Sequence, residues 1–376
     1  MSDLPPLGLY IHIPWCVQKC PYCDFNSHTL HGELPHQQYV DHLLADLDSD
    51  SSQIFGREIA TVFIGGGTPS LLSAPAMHRL LDGVRTRLPL AAGAEITLEA
   101  NPGTVEAERF SGYQRAGINR ISVGVQSFSP QKLARLGRIH GQEEAMAAAR
   151  LATALGLRSV NLDIMHGLPD QTPAEAENDL HQAIALNPAH LSWYQLTIEP
   201  HTAFGSHPPP LPDDDTLWET YQQGHRLLTR AGYQQYEISA YARPGYQCQH
   251  NLNYWRFGDY LGIGCGAHGK ITQRDGRILR RSKTRHPKGY MQGNYLDKQH
   301  QVAPTDRAFE FFMNRFRLLE ATPKSDFKNL TGLTQSSIRQ QIDRAQECGY
   351  LHETAEHWQV TERGTLFLNS LLALFL

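Results

Sequence analysis

The chain has 376 residues, of which 40% are hydrophobic and 19% are charged. This composition is that of one large globular domain with an appendage, and it excludes disordered and fibrous classes. The net charge of -4 gives no overall attraction to nucleic acid or acidic membranes. No apolar run reaches the roughly 18 residues that a membrane span needs, and the first residues lack a signal-peptide pattern. We therefore expect a cytoplasmic protein without a transmembrane segment.

Short apolar runs alternate with segments of helical periodicity over the first 240 residues. The predicted strands are 8–14, 59–64, 95–99, 120–125, 159–165 and 190–196. The predicted helices are 39–47, 75–88, 105–116, 143–155, 173–186 and 213–231. Six strand–helix units predict an α/β fold with a parallel sheet and right-handed crossovers, which curl it into a partial (β/α)6 barrel. An open, doubly wound sheet is the alternative.

The rest of the chain divides into two further parts, so the expected domains are 1–235, 236–304 and 305–376. The middle part is rich in Tyr and Gly and is expected to be irregular. The last part has the order helix, short helix, helix, two short strands, helix, which predicts a small winged-helix-like α+β domain. It holds eight Lys and Arg against nine Asp and Glu, so it lacks the basic footprint of a nucleic-acid binder.

Two later segments have more than one interpretation. Residues 270–288 hold eight basic residues against one acidic residue, Asp275. They form either a solvated hairpin that turns at Asp275–Gly276 or a surface that binds anionic groups. The apolar run 366–376 is expected to be a last helix that docks into the core of the small domain, rather than a partner or membrane contact.

Three cysteines, Cys16, Cys20 and Cys23, follow the first predicted strand with the spacing CxxxCxxC. A loop that leaves the C-terminal end of a barrel strand is where such a scaffold carries its chemistry. Three thiolates can hold a [4Fe–4S] cluster and leave one iron open to a non-protein ligand. A zinc site or three buried structural cysteines are the alternatives, although zinc usually takes four ligands.

This spacing resembles the signature of the radical S-adenosylmethionine superfamily, in which the open iron chelates the amino and carboxylate groups of S-adenosylmethionine. Residues Gly66, Gly67 and Thr68, directly after the second strand, are similar to the glycine-rich motif that meets the cofactor in that superfamily. Polar residues near later strand ends converge on the same rim, as a small-molecule site requires. Resemblance to the porphyrin branch implies that S-adenosylmethionine contacts Tyr10, Glu99, Gln126, Arg138 and Asp163.

The sequence HNxxYW, with His250, Tyr254 and Trp255, resembles the signature of the HemW haem chaperones. This resemblance implies that the chain binds haem, with His250 as a candidate axial ligand and the two aromatic rings stacked on the macrocycle. The alternative is structural: His250 and Asn251 cap a turn, and the rings fill the side of the barrel.

The first functional hypothesis is therefore a haem chaperone that passes haem to acceptor haemoproteins. Membrane-associated respiratory proteins are candidate acceptors. The hypothesis therefore includes a transient association of the chain with the membrane through these partners. The alternative is a radical enzyme such as an oxygen-independent coproporphyrinogen III dehydrogenase. That enzyme has a further cysteine where this chain has Phe25, and a longer N-terminal extension, so both features favour the chaperone.

Overall fold

The computed structural model describes residues 4–104 and 107–376. In chain order, the strands are β1 (Leu7–Ile13), β2 (Trp15–Cys16), β3 (His28–Thr29), β4 (Ile59–Gly66), β5 (Leu90–Ala100), β6 (Arg120–Gln126), β7 (Ser159–His166), β8 (His190–Gln195), β9 (Gln234–Glu237), β10 (Ala240–Ala242), β11 (Asp259–Ile263), β12 (His268–Thr272), β13 (Ile278–Lys283), β14 (Leu296–Gln301), β15 (Thr322–Pro323), β16 (Leu351–Glu353) and β17 (His357–Val360). The helices are α1 (His36–Asp50), α2 (Ala74–Arg87), α3 (Ala107–Ala116), α4 (Pro130–Arg135), α5 (Gln142–Ala154), α6 (Pro173–Ala185), α7 (Ala203–Ser206), α8 (Asp214–Arg230), α9 (Gln249–Trp255), α10 (Pro287–Tyr290), α11 (Arg307–Arg315), α12 (Lys324–Thr331), α13 (Arg339–Glu347), α14 (Glu362–Leu366) and α15 (Leu368–Leu372).

The six predicted strands form the parallel centre of one large sheet. Within the described residues the sheet has twelve strands in the order β14-β13-β12-β11-β1-β4-β5-β6-β7-β8-β10-β9. The central strands β1, β4, β5, β6, β7 and β8 lie side by side in chain order and pair in parallel. A doubly wound sheet would reverse its strand order at a switch point. The steady order confirms the partial barrel and overturns the alternative.

Side chains of the central strands alternate between two environments, as the pleat of a strand requires. In β1, Leu9 and Ile11 belong to the main hydrophobic core together with Tyr39 and Leu43 of α1. The intervening residues, including Tyr10, face the inside of the barrel. Across the six strands this inner face is largely polar, which prepares it for a site rather than for a dry core.

The helices between these strands agree with the prediction to within about three residues at each end. Helix α1 is longer than predicted, since it starts at His36 and ends at Asp50. The first two residues of the helix predicted over 105–116 lie outside the described residues, and α3 covers the rest. Helix α8 begins after Asp213, whose carboxylate accepts a hydrogen bond of 2.8 Å from the backbone N–H of Thr216 and so caps the helix.

The expectation that the middle part would be irregular was wrong. Strands β9 and β10 extend the sheet beyond β8, whereas β11 pairs in parallel with β1 and leads into the antiparallel strands β12, β13 and β14. Frequent glycines hide the alternation of these strands. Gly262 is an example. Only glycine fits at this position, because a Cβ there would lie 1.9 Å from the carbonyl oxygen of His268. The division at 235/236 and 304/305 stays a proposal.

The basic segment 270–288 does turn at Asp275–Gly276, between β12 and β13. The turn itself is exposed. Over the rest of its length the segment is neither solvated nor an anion-binding surface, because five of its eight cations form ion pairs within the chain. Lys270 contacts Asp259 at 2.9 Å, Arg280 contacts Glu310 at 2.6 Å, and Arg281 contacts Asp50. These acidic partners lie outside the segment, on the preceding strand (Asp259) or on distant helices (Asp50 and Glu310), so the local count of charges was misleading.

Lys283 completes this pattern in a buried ionic network. Its Nζ contacts Asp46 and, at 2.8 Å, Asp50 of α1, and both carboxylates are almost fully enclosed. Asp46 also accepts hydrogen bonds from the Gly264 backbone N–H at 3.0 Å and from the Tyr290 hydroxyl at 2.8 Å. The network therefore ties α1 of the barrel to the loop after β11, to β13 and to α10.

The last part of the chain is the small domain that the sequence predicted. Strands β15, β17 and β16 form a three-stranded sheet, and the core contains Phe311, Phe312, Phe327 and Trp358. The predicted last helix divides into α14, α15 and a 3-10 turn. Its Leu371 and Phe375 enter this core, as expected, but Leu366 and Phe367 remain about half exposed.

In the part of the chain that the structure describes, no helix has both the length and the apolar character to cross a bilayer.

Replacing Lys283 with Met should lower the free energy of unfolding by about 3–5 kcal/mol, because it leaves the buried carboxylate of Asp46 without its cation. The matched control is Arg277→Met, which removes a cation from an exposed pair with Asp275 and should cost less than about 1 kcal/mol. Urea unfolding of both variants measures the difference. Equal losses would show that the Lys283 network does not stabilise the fold.

Candidate functional site

The three cysteines lie together at the C-terminal ends of the parallel strands. Cys16 is on β2, which pairs in parallel with β3, and the backbone N–H of Cys23 donates to the carbonyl of Cys20 at 3.1 Å. All three line one cavity of about 420 Å³. The loop thus folds back on itself and presents its thiols to a common space, which is what the CxxxCxxC spacing predicted.

The glycine triplet holds β4 against the backbone that leads into this loop. A Cβ on Gly66 would lie 2.6 Å from the His12 ring, and one on Gly67 would lie 2.6 Å from the carbonyl oxygen of Trp15. The backbone N–H of Thr68 donates to that same carbonyl at 2.7 Å. The glycines are therefore required by close packing of the protein, and Gly66, Gly67 and Thr68 form the cavity wall next to Cys16.

Two carboxylates, Glu99 and Asp163, line the other side of the cavity. Burial, together with the nearby charge of Asp163, raises the pKa of Glu99 to about 8, although the Gly66 backbone N–H donates to its Oε2 at 3.1 Å. Burial also raises the pKa of Asp163, against hydrogen bonds from Asn161 and Ser122. Two adjacent carboxyl groups with raised pKa values form a site that favours a cationic ligand.

Gln126 and Arg138 complete the predicted rim. Gln126 has a positive φ of 69° at the end of β6, a strained conformation for a residue with a side chain. Its Oε1 accepts a hydrogen bond from the Tyr194 hydroxyl at 2.9 Å. Arg138 donates to the Gly124 carbonyl at 2.7 Å and to Cys20 Sγ at 3.6 Å. Its guanidinium therefore links the cysteine loop to the end of β6.

Tyr10 lies one layer deeper in the barrel than Glu99. Its ring stacks on Phe63, with centroids 6.3 Å apart, and its hydroxyl contacts His12 Nδ1 at 2.9 Å. Since His12 Nε2 faces the Asn26 carbonyl at 2.9 Å, Nδ1 is the nitrogen that accepts from Tyr10. The residue thus supports the floor of the cavity rather than its wall.

The residues of HNxxYW lie at the opposite end of the barrel from the cysteines. His250 is 0% exposed, its Nδ1 is 2.8 Å from Thr61 Oγ1, and burial lowers its pKa to about 3. Tyr254 packs edge-on against His250 at 4.6 Å, and Trp255 lies under the guanidinium of Arg317 at 4.4 Å. This placement favours the structural alternative, in which the motif closes the barrel.

The sequence reasoning missed several side chains of the same cavity. They include Ser122, Met165, Tyr194, Asn101 and Tyr22. The period of two along a strand could have found some of them, because Ser122 and Met165 point to the same face as Gly124 and Asp163 respectively. Tyr22 lies within the cysteine loop, and its contact with that loop depends on a fold that no periodicity describes.

The residues present fit a cubane iron–sulfur cluster. Burial raises the pKa of Cys16 and of Cys23, so these thiols are neutral in the absence of metal, and thiolate ligands would form as metal displaces their protons. Among residues 4–104 and 107–376, no three His, Cys, Asp or Glu side chains surround a single point that one ion could occupy. The three thiols of a cluster bind three different irons, so they have no need of such a point.

Comparison with known proteins agrees with this geometry. The Radical SAM superfamily model matches residues 10–183, and the HemN C-terminal domain model matches residues 302–367. The solved structure of coproporphyrinogen III oxidase (HemN) from Escherichia coli, described as a radical SAM enzyme, superposes with a TM-score of 0.84 over 99% of this chain and 90% of that chain. Its sequence identity is 24%, so this likeness shows the fold alone. Fold and family models together define a radical S-adenosylmethionine protein.

Relatives of higher sequence identity show to which family of this superfamily the chain belongs. A protein of Escherichia coli named "heme chaperone HemW" is 72% identical to this chain over 376 residues. The alignment covers 100% of this chain and 100% of that protein. A protein of the same name from Haemophilus influenzae is 61% identical over 100% of this chain and 99% of its own length. The chain therefore belongs to the HemW family within the radical S-adenosylmethionine superfamily, as its motifs predicted.

The raised pKa of Glu99 predicts that S-adenosylmethionine binds more tightly as pH rises. Below about pH 8 the free carboxyl is protonated, whereas the sulfonium of the ligand favours the carboxylate, so binding releases a proton. Affinity should rise by up to about tenfold per pH unit and level off above about pH 8. Calorimetry on the reconstituted protein in two buffers of different ionisation enthalpy measures this release.

Glu99→Gln is the control for this prediction, because it keeps the shape of the side chain but removes the titration. Its affinity should rise less steeply between about pH 7 and pH 8 than that of the parent protein, because only the proton of the cofactor amino group is then released. The same slope in the variant and in the parent protein would assign the proton to another group.

Proposed function

We propose that this chain is a haem chaperone, which binds haem and a [4Fe–4S] cluster with S-adenosylmethionine and delivers haem to acceptor haemoproteins. The observation that carries this proposal is the full-length identity of 72% with a protein named heme chaperone HemW. The joint placement of the cysteine loop and the polar rim around one cavity supports it. The chaperone works in the cytoplasm, where free thiols stay reduced, and meets membrane-associated acceptors from that side.

In this proposal Cys16, Cys20 and Cys23 hold the cluster, and Arg138 stabilises the negative charge of the Cys20 thiolate through its contact with Sγ. When bound, such a cluster supplies an electron and an open iron that chelates S-adenosylmethionine. The residues that contact the cofactor are Gly66, Gly67, Thr68, Glu99, Gln126, Arg138 and Asp163, with Tyr10 supporting them from below. Glu99 and Asp163 provide the negative environment that the cationic part of the cofactor requires.

The second candidate function is that of a radical oxidoreductase acting on a tetrapyrrole, such as a coproporphyrinogen III dehydrogenase. The complete set of polar groups around the cavity favours it, since a protein that only carries haem has no need of a cofactor poised for chemistry. Phe25 argues in the other direction. It is 59% exposed at the edge of the cavity, in the position where the dehydrogenase has a cysteine.

Anaerobic reconstitution should give about four irons per chain. Replacing Cys20 with Ala should abolish the brown absorbance of the cluster, because the remaining thiols anchor only two irons. Cys348→Ala is the matched control, since Cys348 is a free cysteine in the small domain and should keep a full complement of iron. Iron and sulfide analysis with visible absorbance measures both. A cluster that survives in Cys20→Ala would contradict the ligand assignment.

The reconstituted protein should bind haem at about one per chain and convert no coproporphyrinogen III in the presence of reductant and S-adenosylmethionine. Haem titration by the Soret band and an anaerobic turnover assay on the same sample test both statements. Turnover at the rate of a working enzyme, about 1 per second or more, would establish the second candidate. Absence of haem binding would overturn the chaperone.

A further inference from the structure

A second cavity, of about 760 Å³, lies on the outer side of the barrel, between β8, the first half of α8 and the C-terminal segment. Its volume falls in the range of about 300–1,000 Å³ that small-molecule and cofactor sites span. The end of β8 separates it from the cofactor cavity, because Tyr194, Gln195 and Thr197 line both. We call this second cavity the aromatic cleft.

One wall of the aromatic cleft is a row of stacked rings. Trp218 stacks on Tyr221 with centroids 5.7 Å apart and an interplanar angle of 21°, and Tyr221 stacks on Trp193 at 6.2 Å and 9°. Trp218 is 42% exposed. The outer face of Trp218, at the exposed end of this stack, is a flat apolar surface, which suits a planar aromatic ligand.

The facing wall comes from the small domain. Leu366 and Phe367, at the junction of α14 and α15, line the cleft with 49% and 51% of their surface exposed. Two adjacent large apolar residues that face an aromatic wall leave a slot whose two sides are both apolar. A flat ligand with two apolar faces would fill such a slot.

A single imidazole is enclosed at the inner end of the slot. His166 lines the cleft with 4% of its surface exposed, and its ring lies 4.3 Å from that of Trp193. Its Nδ1 is buried and has no hydrogen-bond partner in the described residues. Burial lowers the pKa of His166 to about 4, so the ring is neutral at neutral pH and keeps a lone pair for a metal.

A cation stands at another edge of the cleft. The guanidinium of Arg317 lies over the Trp255 ring at 4.4 Å. Its Nε has no hydrogen-bond partner, and the structure gives Arg317 no ion pair within the described ranges. Most of the other partly buried arginines of the small domain and its border are paired, as Arg280 and Arg315 show. The nearby carboxylate of Glu237 acts on Arg317 electrostatically but forms no ion pair with it in the described ranges, so the guanidinium can still bind a carboxylate of a ligand.

We propose that the aromatic cleft is the haem site of this chain: the macrocycle lies between the ring wall and Phe367, the imidazole of His166 coordinates the iron, and Arg317 pairs with a propionate. This inference rests on the proposed function, since it requires that the chain binds haem. The three features match the three parts of haem: an apolar plate, a metal that takes imidazole, and anionic side chains.

The test is haem titration of His166→Ala, followed by absorbance and electron paramagnetic resonance. Loss of the iron ligand should weaken haem binding roughly tenfold or more and shift the Soret band. Added imidazole should restore the parent spectrum by filling the space that the side chain leaves. His300→Ala, which removes an exposed histidine on β14, is the matched control and should bind as the parent does.

Two further variants test the wall and the cation without disturbing the core. Trp218→Ala should weaken binding about threefold to tenfold, whereas Tyr246→Ala, which removes an aromatic residue 40% exposed elsewhere, should not. Arg317→Gln should weaken binding of haem but not of haem dimethyl ester, whose carboxylates are blocked.

The outcomes separate this inference from the proposed function. If the parent protein binds no haem, the proposed function fails and the cleft assignment fails with it. If the parent binds haem while His166→Ala keeps its spectrum and Trp218→Ala its affinity, the chaperone stands and the cleft assignment is overturned. Chemical rescue of His166→Ala by imidazole would establish His166 as the ligand, because a purely structural loss would not be reversed by a free ligand.

Discussion

The polar inner face of the barrel is the constraint on which the rest of the structure depends. Strands β4 to β8 point carboxyl, amide and guanidinium groups inward, and a buried charge is costly unless a partner meets it. At the lower end the chain supplies many of these partners itself, although Arg120 Nε and His250 Nε2 have no hydrogen-bond partner among the described residues. Glu95 Oε1 accepts hydrogen bonds from the backbone N–H groups of Gln249 and His250, at 2.9 and 3.2 Å. Arg120 lies close enough to Glu95 and Asp163 for their charges to raise its pKa, against the effect of burial.

Helix α9 is the element that closes this lower end. Its first residues bind Glu95, the ring of His250 meets Thr61, and a Cβ on Gly8 would lie 3.2 Å from that ring. Asn253 donates to the Asp259 carbonyl at 2.8 Å and so fixes the start of β11. The motif HNxxYW therefore lets β11 join the sheet next to β1. These contacts give His250 and Asn253 a structural role, while His250 Nε2 and Trp255 Nε1 have no hydrogen-bond partner among the described residues.

The upper end of the barrel differs because its polar groups are only partly satisfied by the protein. Glu99 keeps one backbone donor and a neighbouring carboxyl, and its pKa rises in consequence. The inward-facing side chains of the strands therefore meet partners from the protein itself at the lower end of the barrel. At the upper end they are left to bind a ligand with cationic groups. This difference, rather than the presence of carboxylates, distinguishes the site from the rest of the barrel.

The sequence was sufficient for what depends on local order. The six strands and the helices between them follow from periodicity, and the cysteine cluster follows from its spacing. The glycine and carboxylate positions came from the family resemblance, and the structure brings Cys16, Gly66 and Glu99 to one cavity. It was insufficient where a residue's environment depends on a distant segment. Lys283 and Asp46 are 237 positions apart, so a cluster of cations in the sequence became a set of buried pairs in the fold.

The same limitation explains why the aromatic cleft has no sequence signature. Its walls come from β7, β8 and α8 of the barrel and from the last turns of the small domain, and each contributes residues that look like ordinary core or surface positions. Only their joint placement brings together exposed apolar side chains, an imidazole whose Nδ1 has no hydrogen-bond partner and a guanidinium whose Nε has none, among the residues that the structure describes. The end of β8 forms part of both cavities, because Tyr194 and Gln195 line each of them. The fold thus places the cysteine-lined cavity and the cleft on the two sides of one strand.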